Sequence, residues 1–183
     1  MLLRECHIDD MPQITAIYAH AVEHFAATYE LDAPSIDDMI KRRATVLRRG
    51  FPYIVAEQEG VILGFAYGNM FRERMAYRFM VEDSIYLAPD AQRKGVGSAL
   101  LQELMAQCTA RGFRQMVAII GDAENSLGSI GVHRRLGFET TGRMEGSGFK
   151  FGRWLDTVVM QIALNGGRET LPDGTSIADS LQP

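Results

Sequence analysis

The sequence predicts an α/β fold in which helices flank a central mixed β-sheet. Strand-like and helix-like patterns alternate along most of the chain, which is the first observation that supports this class. The second is composition, because 183 residues with 46% hydrophobic and 23% charged side chains suit one soluble domain with a full core. The third is a glycine-spaced turn that joins a predicted strand to an amphipathic helix near the middle of the chain.

The first part of the chain predicts one strand, two helices and a hairpin. In order, these are a strand over 2–6, helices over 12–25 and 35–49, and strands over 53–57 and 61–68 joined by a tight turn at 58–60. Asp9 or Asp10 can cap the first helix, and Pro12 suits its first turn. Ser35 can cap the second helix, and Gly50 ends it.

The second part of the chain predicts further alternation of strands and helices. In order, these are a strand over 79–87, a turn at 88–90, a helix over 96–108, a strand over 116–120, a helix over 126–136, and strands over 138–145 and 154–163. Gly112 and Gly137 follow the two helices as C-terminal stop signals. Periodicity is lost after Leu164, so we predict a single domain over 1–164 and a poorly ordered tail over 165–183.

The turn over 92–97 reads Gln-Arg-Lys-Gly-Val-Gly and predicts an anion site. Gly95 and Gly97 let backbone N–H groups converge at a helix N-terminus, where the helix dipole favours negative charge. Arg93 and Lys94 add positive charge. The spacings of a P-loop and of a dinucleotide-binding turn are both absent. A phosphate or pyrophosphate ligand is therefore expected, with an ordinary tight turn as the alternative interpretation.

Charge and residue usage narrow the class of protein. The net charge of −4 argues against a general nucleic-acid-binding protein. No apolar run reaches the length of a membrane-spanning helix and the N-terminus lacks a signal-peptide pattern, so we expect no membrane partner and a cytoplasmic location. Cys6 falls in a predicted strand and Cys108 on an apolar helix face, so both are expected to be buried thiols. We expect neither a disulfide framework nor a metal site.

The turn resembles the Q/R-x-x-G-x-G/A pyrophosphate loop of the GNAT acyl-CoA N-acetyltransferases, and the element order over 1–164 is similar to that fold. The resemblance implies a mixed, partly splayed sheet. Four blocks resemble the phosphinothricin and methionine sulfoximine acetyltransferase branch: RERMAYR at 72–78, VEDSIY at 81–86, HRRLGF at 133–138 and GFKFGRWLD at 148–156. This implies an enzyme that transfers the acetyl group of acetyl-CoA directly to the amine of a small amino-acid-like compound, of the phosphinothricin, methionine sulfoximine or methionine sulfone type.

The resemblance also implies which residues contact acetyl-CoA. The pantetheine arm is expected to lie beside the central strand like an added strand, so backbone groups make the contacts there. The segment before His133 is one residue longer than in the branch, so either Asn125 or Ser126 takes a further pantetheine contact. An N-cap role for Asn125 is the alternative. The expected cosubstrate contacts are Ile85, Tyr86, Leu87, Gln92, Arg93, Lys94, Gly95, Val96, Gly97, Ser98, Asn125 and Ser129.

Glu82 is the candidate general base. An α-amino group has a pKa of roughly 8, so it is largely protonated at neutral pH and needs a base before it can attack a thioester. Strand alternation places Glu82 and Ser84 on one face of the central strand and Asp83 on the other. The family resemblance assigns the base to this position, and a surface carboxylate is the alternative.

His133 is the candidate general acid. A departing thiolate gains from a proton donor, since a thiol has a pKa of roughly 8.5. Many GNAT enzymes carry tyrosine at this helix position, and the branch has histidine. The alternative is a structural histidine at a helix–sheet boundary, one turn from Ile130 and Leu136.

Substrate recognition is expected around residues 72–78, where three arginines occur in seven residues. Guanidinium groups can bind a carboxylate through two hydrogen bonds, and arginines that face solvent are the alternative. The resemblance implies that this loop meets residues 28–30 over the substrate. The branch has Thr where this chain has Met80, so the identity of the acceptor is open. The expected acceptor contacts are Thr28, Tyr29, Glu30, Arg72, Arg74, Tyr77, Arg78, Asp83 and Ser84.

Assembly and the function class are the last expectations. The resemblance suggests a homodimer with a contact around Lys150, Phe151 and Trp154, and packing within a hairpin is the alternative. A GNAT-fold regulatory module that binds acyl-CoA without turnover is the alternative to an enzyme. An acetyltransferase for a peptide, polyamine or antibiotic amine is a further alternative. The presence of both Glu82 and His133 favours the enzyme.

Overall fold

The computed structural model describes residues 1–181, in which seven strands form one mixed sheet. The strands are β1 (Leu2–Glu5), β2 (Tyr53–Gln58), β3 (Val61–Met70), β4 (Met80–Leu87), β5 (Gln115–Gly121), β6 (Glu139–Lys150) and β7 (Arg153–Ala163). Their order across the sheet is β1-β2-β3-β4-β5-β7-β6. Neighbouring strands are antiparallel except β4 and β5, which are parallel. This arrangement confirms the predicted α/β class with a mixed sheet.

Helices cover both faces of the sheet. They are α1 (Met11–His24), α2 (Ile36–Arg48), α3 (Val96–Ala110), α4 (Leu127–Arg135) and α5 (Ile177–Ser180). The α1 helix packs on the face that carries Tyr86, since the Tyr18 ring lies edge-on to the Tyr86 ring at 4.8 Å between centroids. The α3 helix packs on the opposite face, where Leu100 lies close to Gly64 of β3. Within the described residues, no helix has both the length and the apolar character needed to cross a membrane.

Local signals in the sequence set several element ends as predicted. The Ser35 Oγ caps α2 by accepting the Asp38 N–H at 3.2 Å. Gly112 follows α3 with a φ of +85°, the left-handed conformation that commonly ends a helix. The β2–β3 turn has φ of +54° at Glu59 and +81° at Gly60, as a two-residue hairpin loop requires.

The core lies between the sheet and the helices, and α3 contributes most to one side. Leu100, Leu101 and Leu104 of α3 are fully buried, because apolar residues at this spacing share one helix face. Cys6 and Cys108 are buried free thiols, as predicted.

The last hairpin is longer than the sequence predicted. The β6 strand continues to Lys150 instead of ending near residue 145. Its pairing with β7 shifts between Thr140 and Gly142 and again between Met144 and Gly148. Glycines at these bulges weaken the apolar–polar alternation that identifies a strand, so the pattern ended early.

Residues 165–181 pack against the domain. Ala178 and Leu181 are buried, and Ser176 lies so close to Gly112 that a Cβ there would stand 2.2 Å from the Ser176 Oγ. The Arg114 guanidinium donates to the Thr170 carbonyl oxygen at 2.6 Å. These few contacts produce no periodic apolar pattern in the sequence, so the sequence analysis did not detect them. The boundary at residue 164 and poor order beyond it stay predictions, and residues 182–183 lie outside the described residues.

Candidate active site

A gap opens in the sheet where β4 and β5 separate. The two strands pair only at Met80–Gln115, Val81–Met116 and Glu82–Val117, so the β4 edge that faces β5 has no strand partner beyond Glu82. A cavity of about 340 Å³ lies in this gap. Its walls are residues 82–86 of β4, residues 118–121 of β5, residues 26–29 after α1, Thr157 of β7, Ser126, and Ser129 and His133 of α4. The gap is the partly splayed sheet that the family resemblance implied.

Glu82 lies at the point where β4 and β5 part. It is half-buried and lies opposite Asn69 of β3. By strand alternation it shares a face of the sheet with Tyr86, which is the face that α1 covers. Burial and the nearby Asp83 carboxylate raise the pKa of Glu82 from 4.5 to about 7, and Arg72 opposes them. A carboxylate with this pKa can accept a proton near neutral pH.

His133 and Asp83 form a buried pair on the other face of the sheet. The His133 Nε2 lies 3.2 Å from the Asp83 Oδ1, and the two side chains are 5% and 4% exposed. The His133 Nδ1 lies 2.8 Å from the Ser129 carbonyl oxygen. Burial lowers the pKa of His133, but Asp83 and the Ser129 carbonyl outweigh it, so the pKa is raised above its usual 6.5. Strand alternation explains why consecutive residues Glu82 and Asp83 face opposite sides.

The glycine-spaced loop lies directly after the gap-lining strand. Gly95 has a φ of +83° and caps α3, and a Cβ there would meet nothing within 4 Å. Gln92, Arg93 and Lys94 are exposed beside it, with a φ of +60° at Arg93. The first-turn N–H groups of α3 have no acceptor within the helix, and the space beside Gly95 is open, which together suit a diphosphate.

The start of α4 brings two serines, but not Asn125, to the cavity. Ser126 and Ser129 line the cavity, and the Ser126 Oγ donates to the Gly121 carbonyl oxygen at 2.6 Å. The Asn125 amide instead donates to the Asp122 carboxylate at 3.0 and 3.1 Å. Of the two alternatives for the pantetheine contact, the geometry favours Ser126.

Of the predicted acceptor contacts at residues 28–30, the first two lie at the gap. Tyr29 and Thr28 line the cavity, and the Tyr29 hydroxyl is 2.7 Å from the Thr157 Oγ1. The Tyr29 ring fits between Gly121 and Gly148, where a Cβ on either glycine would come within 2.6 Å of it. Glycine is therefore required at both positions.

Glu30 lies apart from the gap cavity. It accepts hydrogen bonds from the Tyr18 hydroxyl at 2.9 Å and from Arg42 at 2.6 and 3.2 Å. It lines a second cavity, of about 450 Å³, with Tyr18, Arg42, Arg49, Tyr67 and Asn69. Tyr67 and Asn69 pair with Ser84 and Glu82 across β3 and β4, so this cavity opens on the Glu82 face.

The arginine-rich loop lines neither cavity. Arg72 and Arg74 are exposed, and the Arg72 guanidinium lies 5.1 Å from the Phe71 ring centroid. Arg78 donates to the Met75 carbonyl oxygen at 3.1 Å and lies over the Phe79 ring. Tyr77 packs edge-on against the Phe71 ring at 5.7 Å. The structure does not bring these four predicted acceptor contacts together with Glu82, although the charge of Arg72 acts on it.

The sequence analysis expected Lys150 at a dimer contact or in packing within a hairpin, and it missed the contact that Lys150 makes near the site. It also missed Arg42 and Arg49. Lys150 is buried, and its Nζ donates to the carbonyl oxygens of Phe25 at 3.0 Å and Thr28 at 2.9 Å, which holds the loop before Tyr29. Burial lowers the pKa of Lys150. Arg42 and Arg49 of the second cavity belong to the basic run over 41–49, from the middle of α2 to just after its end. This charge pattern was the signal that could have identified them.

Comparisons with known proteins agree with this geometry. The Acetyltransferase (GNAT) family profile matches residues 14–138. The chain is 50% identical over 165 residues to a phosphinothricin N-acetyltransferase of Alcaligenes faecalis, covering 90% of this chain and 83% of the relative. It is 40% identical over 167 residues to an L-methionine sulfoximine/L-methionine sulfone acetyltransferase of Pseudomonas aeruginosa, covering 89% and 94%.

A solved structure is similar over nearly the whole chain. The crystal structure of a GNAT superfamily phosphinothricin acetyltransferase from Sinorhizobium meliloti in complex with AcCoA superposes with a TM-score of 0.95 at 50% identity, covering 98% of this chain and 97% of that one. These findings confirm the predicted fold, the branch that the sequence resembles and the prediction of an N-acetyltransferase. The chain belongs to the GNAT acetyltransferase family.

Proposed function

We propose that this protein transfers the acetyl group of acetyl-CoA directly to the amine of a small amino-acid-like compound, of the phosphinothricin, methionine sulfoximine or methionine sulfone type. One observation carries the proposal: a single gap brings Glu82 and His133 together beside the unpaired edge of β4. The names of the phosphinothricin and methionine sulfoximine/sulfone relatives support this substrate class.

The gap and the loop fit acetyl-CoA, which supplies an activated acetyl thioester. The diphosphate lies against the N–H groups around Gly95 and Gly97, where no side chain occupies the space next to Gly95. Ile85, Tyr86 and Leu87 lie between this loop and Glu82, on the part of β4 whose edge toward β5 is unpaired. Their backbone groups can pair with the amides of the pantetheine arm as a strand would.

Glu82 and His133 move protons at opposite ends of the reaction. Glu82 accepts a proton from the substrate ammonium group, so that the nitrogen can form its bond to the acetyl carbon as the carbon–sulfur bond breaks. The nitrogen gives up two protons in all, one to Glu82 and one to solvent. The sulfur gains one proton from His133. Both side chains then return to their starting states by exchange with water.

The acceptor approaches from the Glu82 face of the sheet. Thr28 and Tyr29 line the gap, and the second cavity with Glu30 and Arg49 opens on the same face as Glu82. A carboxylate of the acceptor is held by guanidinium groups there or by the exposed Arg72. In this arrangement, the positive charge that binds the substrate lies on the same face of the sheet as the base that deprotonates it.

The protein acts as a homodimer in the cytoplasm. Phe149, Phe151 and Trp154 are 57%, 53% and 69% exposed at the end of the last hairpin, and the Phe149 and Trp154 rings touch at 5.1 Å. An exposed aromatic cluster of this kind is typical of a protein–protein interface. The buried free thiols Cys6 and Cys108 are consistent with a reducing compartment.

A thiol-release assay tests the function. Acetyl-CoA is incubated with methionine sulfoximine, methionine sulfone, phosphinothricin, a polyamine and a peptide, and free CoA thiol is measured over time. Release that depends on one of the three amino-acid-like amines is expected. Release that only the polyamine or the peptide supports would exclude the proposed substrate class, and binding of acetyl-CoA without release would indicate a regulatory module.

A further inference from the structure

The pair of Asp83 and His133 has a role that neither residue has alone. Both ring nitrogens of His133 face acceptor atoms: Nδ1 is 2.8 Å from the Ser129 carbonyl oxygen and Nε2 is 3.2 Å from the Asp83 Oδ1. A carbonyl oxygen and a carboxylate only accept hydrogen bonds, so each nitrogen carries a hydrogen. The ring is therefore held as the imidazolium ion, with the Phe138 ring edge-on to it at 4.9 Å.

The second carboxylate oxygen of Asp83, Oδ2, makes no hydrogen bond to His133. Within residues 1–181 the Asp83 Oδ2 is buried and has no hydrogen-bond partner. Leaving a buried carboxylate oxygen unpaired is costly, so a purely structural residue would be expected to satisfy it. Asp83 also lines the gap cavity, on the same side as His133.

We propose that Asp83 is a positioning residue for acetyl transfer, which keeps His133 protonated at Nε2 on the wall of the gap and so maintains the proton that the departing sulfur receives. The proposal rests on the proposed function, in which His133 supplies that proton. One proton moves in this step: the hydrogen bond from the His133 Nε2–H to Asp83 breaks, the proton passes from Nε2 to sulfur, the ring becomes neutral, and solvent then returns a proton to Nε2. This differs from the substrate contact expected for Asp83 from the sequence.

The groups around the pair determine what a change at Asp83 does. The titratable neighbours are Glu82 on β4 and the Cys108 thiol on α3, whose pKa burial raises to about 12, so Cys108 stays neutral. Arg134 and Arg135 follow His133 on α4 and are exposed. Asp83 raises the pKa of His133 and is the second cause, after burial, of the raised pKa of Glu82. Removing its charge therefore lowers both values.

Asp83→Asn tests the proposal, because asparagine keeps the shape and removes the charge. Both limbs of the pH profile of kcat are expected to move to lower pH by about one unit, which corresponds to about a tenfold loss on the alkaline side. Asp122→Asn is the matched control, since Asp122 is equally buried, lies directly after β5, and pairs with Arg153 instead of His133. Its limbs are expected to stay in place. A kcat that falls equally at every pH in Asp83→Asn would overturn the proposal.

Nitrogen-15 NMR of the histidine rings provides a test that does not need turnover. The His133 signal is identified as the one absent from a His133→Gln spectrum. In the wild type this ring is expected to lose its second hydrogen above the usual imidazole pKa of 6.5, and in Asp83→Asn to lose it at a lower pH than in the wild type. An unchanged titration would refute the role of Asp83. If no amine is acetylated, the proposed function fails, whereas the NMR titration still decides whether Asp83 holds the proton on His133.

Discussion

Replacing Glu82 with Gln removes the proposed base while keeping its size. A positioned base contributes about a hundredfold to ten-thousandfold to a rate, so kcat is expected to fall by at least about a hundredfold. On its acid limb, the wild-type kcat is expected to rise about tenfold per pH unit below the Glu82 pKa of about 7, before the alkaline limb that His133 sets. Glutamine does not titrate, so this rise disappears in the variant. Acetyl-CoA affinity is unchanged, because the contacts at Gly95 and along β4 do not involve the Glu82 carboxylate.

The same change is expected to stabilise the fold at high pH. Raising a carboxyl pKa from 4.5 to about 7 disfavours the ionised folded state. The full shift corresponds to about 3 kcal/mol, and since Glu82 is only half-buried, about 1–2 kcal/mol of unfolding free energy is expected after solvent screening. The folded state binds the proton more tightly, so wild-type stability falls as pH rises from 4.5 through 7. Glu82→Gln should therefore match the wild type at pH 4 and exceed it at pH 8.

The assay combines thiol release from pH 5 to 9, calorimetric titration of acetyl-CoA, and thermal unfolding at pH 4 and 8. Glu139→Gln is the control, because Glu139 is an exposed carboxylate at the start of β6 and should leave all three measurements unchanged. A Glu82→Gln enzyme within threefold of wild-type kcat, or one that keeps the pH rise near 7, would refute the assignment of the base. If Glu82→Gln stabilises the fold at pH 8 without lowering kcat, the buried Glu82 carboxylate destabilises the fold but takes no part in catalysis.

Three further changes test the loop, the buried lysine and the hairpin surface. Gly95→Ala is expected to weaken acetyl-CoA binding at least tenfold by calorimetry. Gly60→Ala is the control, because Gly60 has a similar φ of +81° and equal free space. Each variant should lose about 1–2 kcal/mol of unfolding free energy, but Gly60→Ala should leave binding intact. Lys150→Met leaves two carbonyl oxygens before Tyr29 without their donor. The KM for the amine should therefore rise severalfold, and the unfolding free energy should fall by about 1–3 kcal/mol. Unchanged values would show that the loop keeps its conformation without Lys150. Trp154→Ser should shift sedimentation from dimer to monomer, and a wild-type monomer would contradict the dimer.

The sequence analysis correctly predicted features that depend on residues close together along the chain. The loop at Gly95 and the cap at Ser35 follow from local backbone chemistry, and both are present. The gap between β4 and β5 follows from where two distant strands stop pairing, and only the family resemblance indicated it. The contact of Lys150 with Phe25 spans 125 residues along the chain. No periodicity within one element reports such a contact.

Asp83 shows how a correct local prediction can still miss a role. Alternation along β4 correctly placed it opposite Glu82, but the partner that defines its chemistry, His133, lies 50 residues away. Because β4 and β5 separate just beyond Glu82, both faces of the sheet reach one cavity at this point. In a fully paired sheet, consecutive residues could not act on one bound molecule. In the proposed mechanism, the separation of the strands therefore does more than make room for the cosubstrate: it lets one strand supply the proposed base from one face and support the proposed acid on the other.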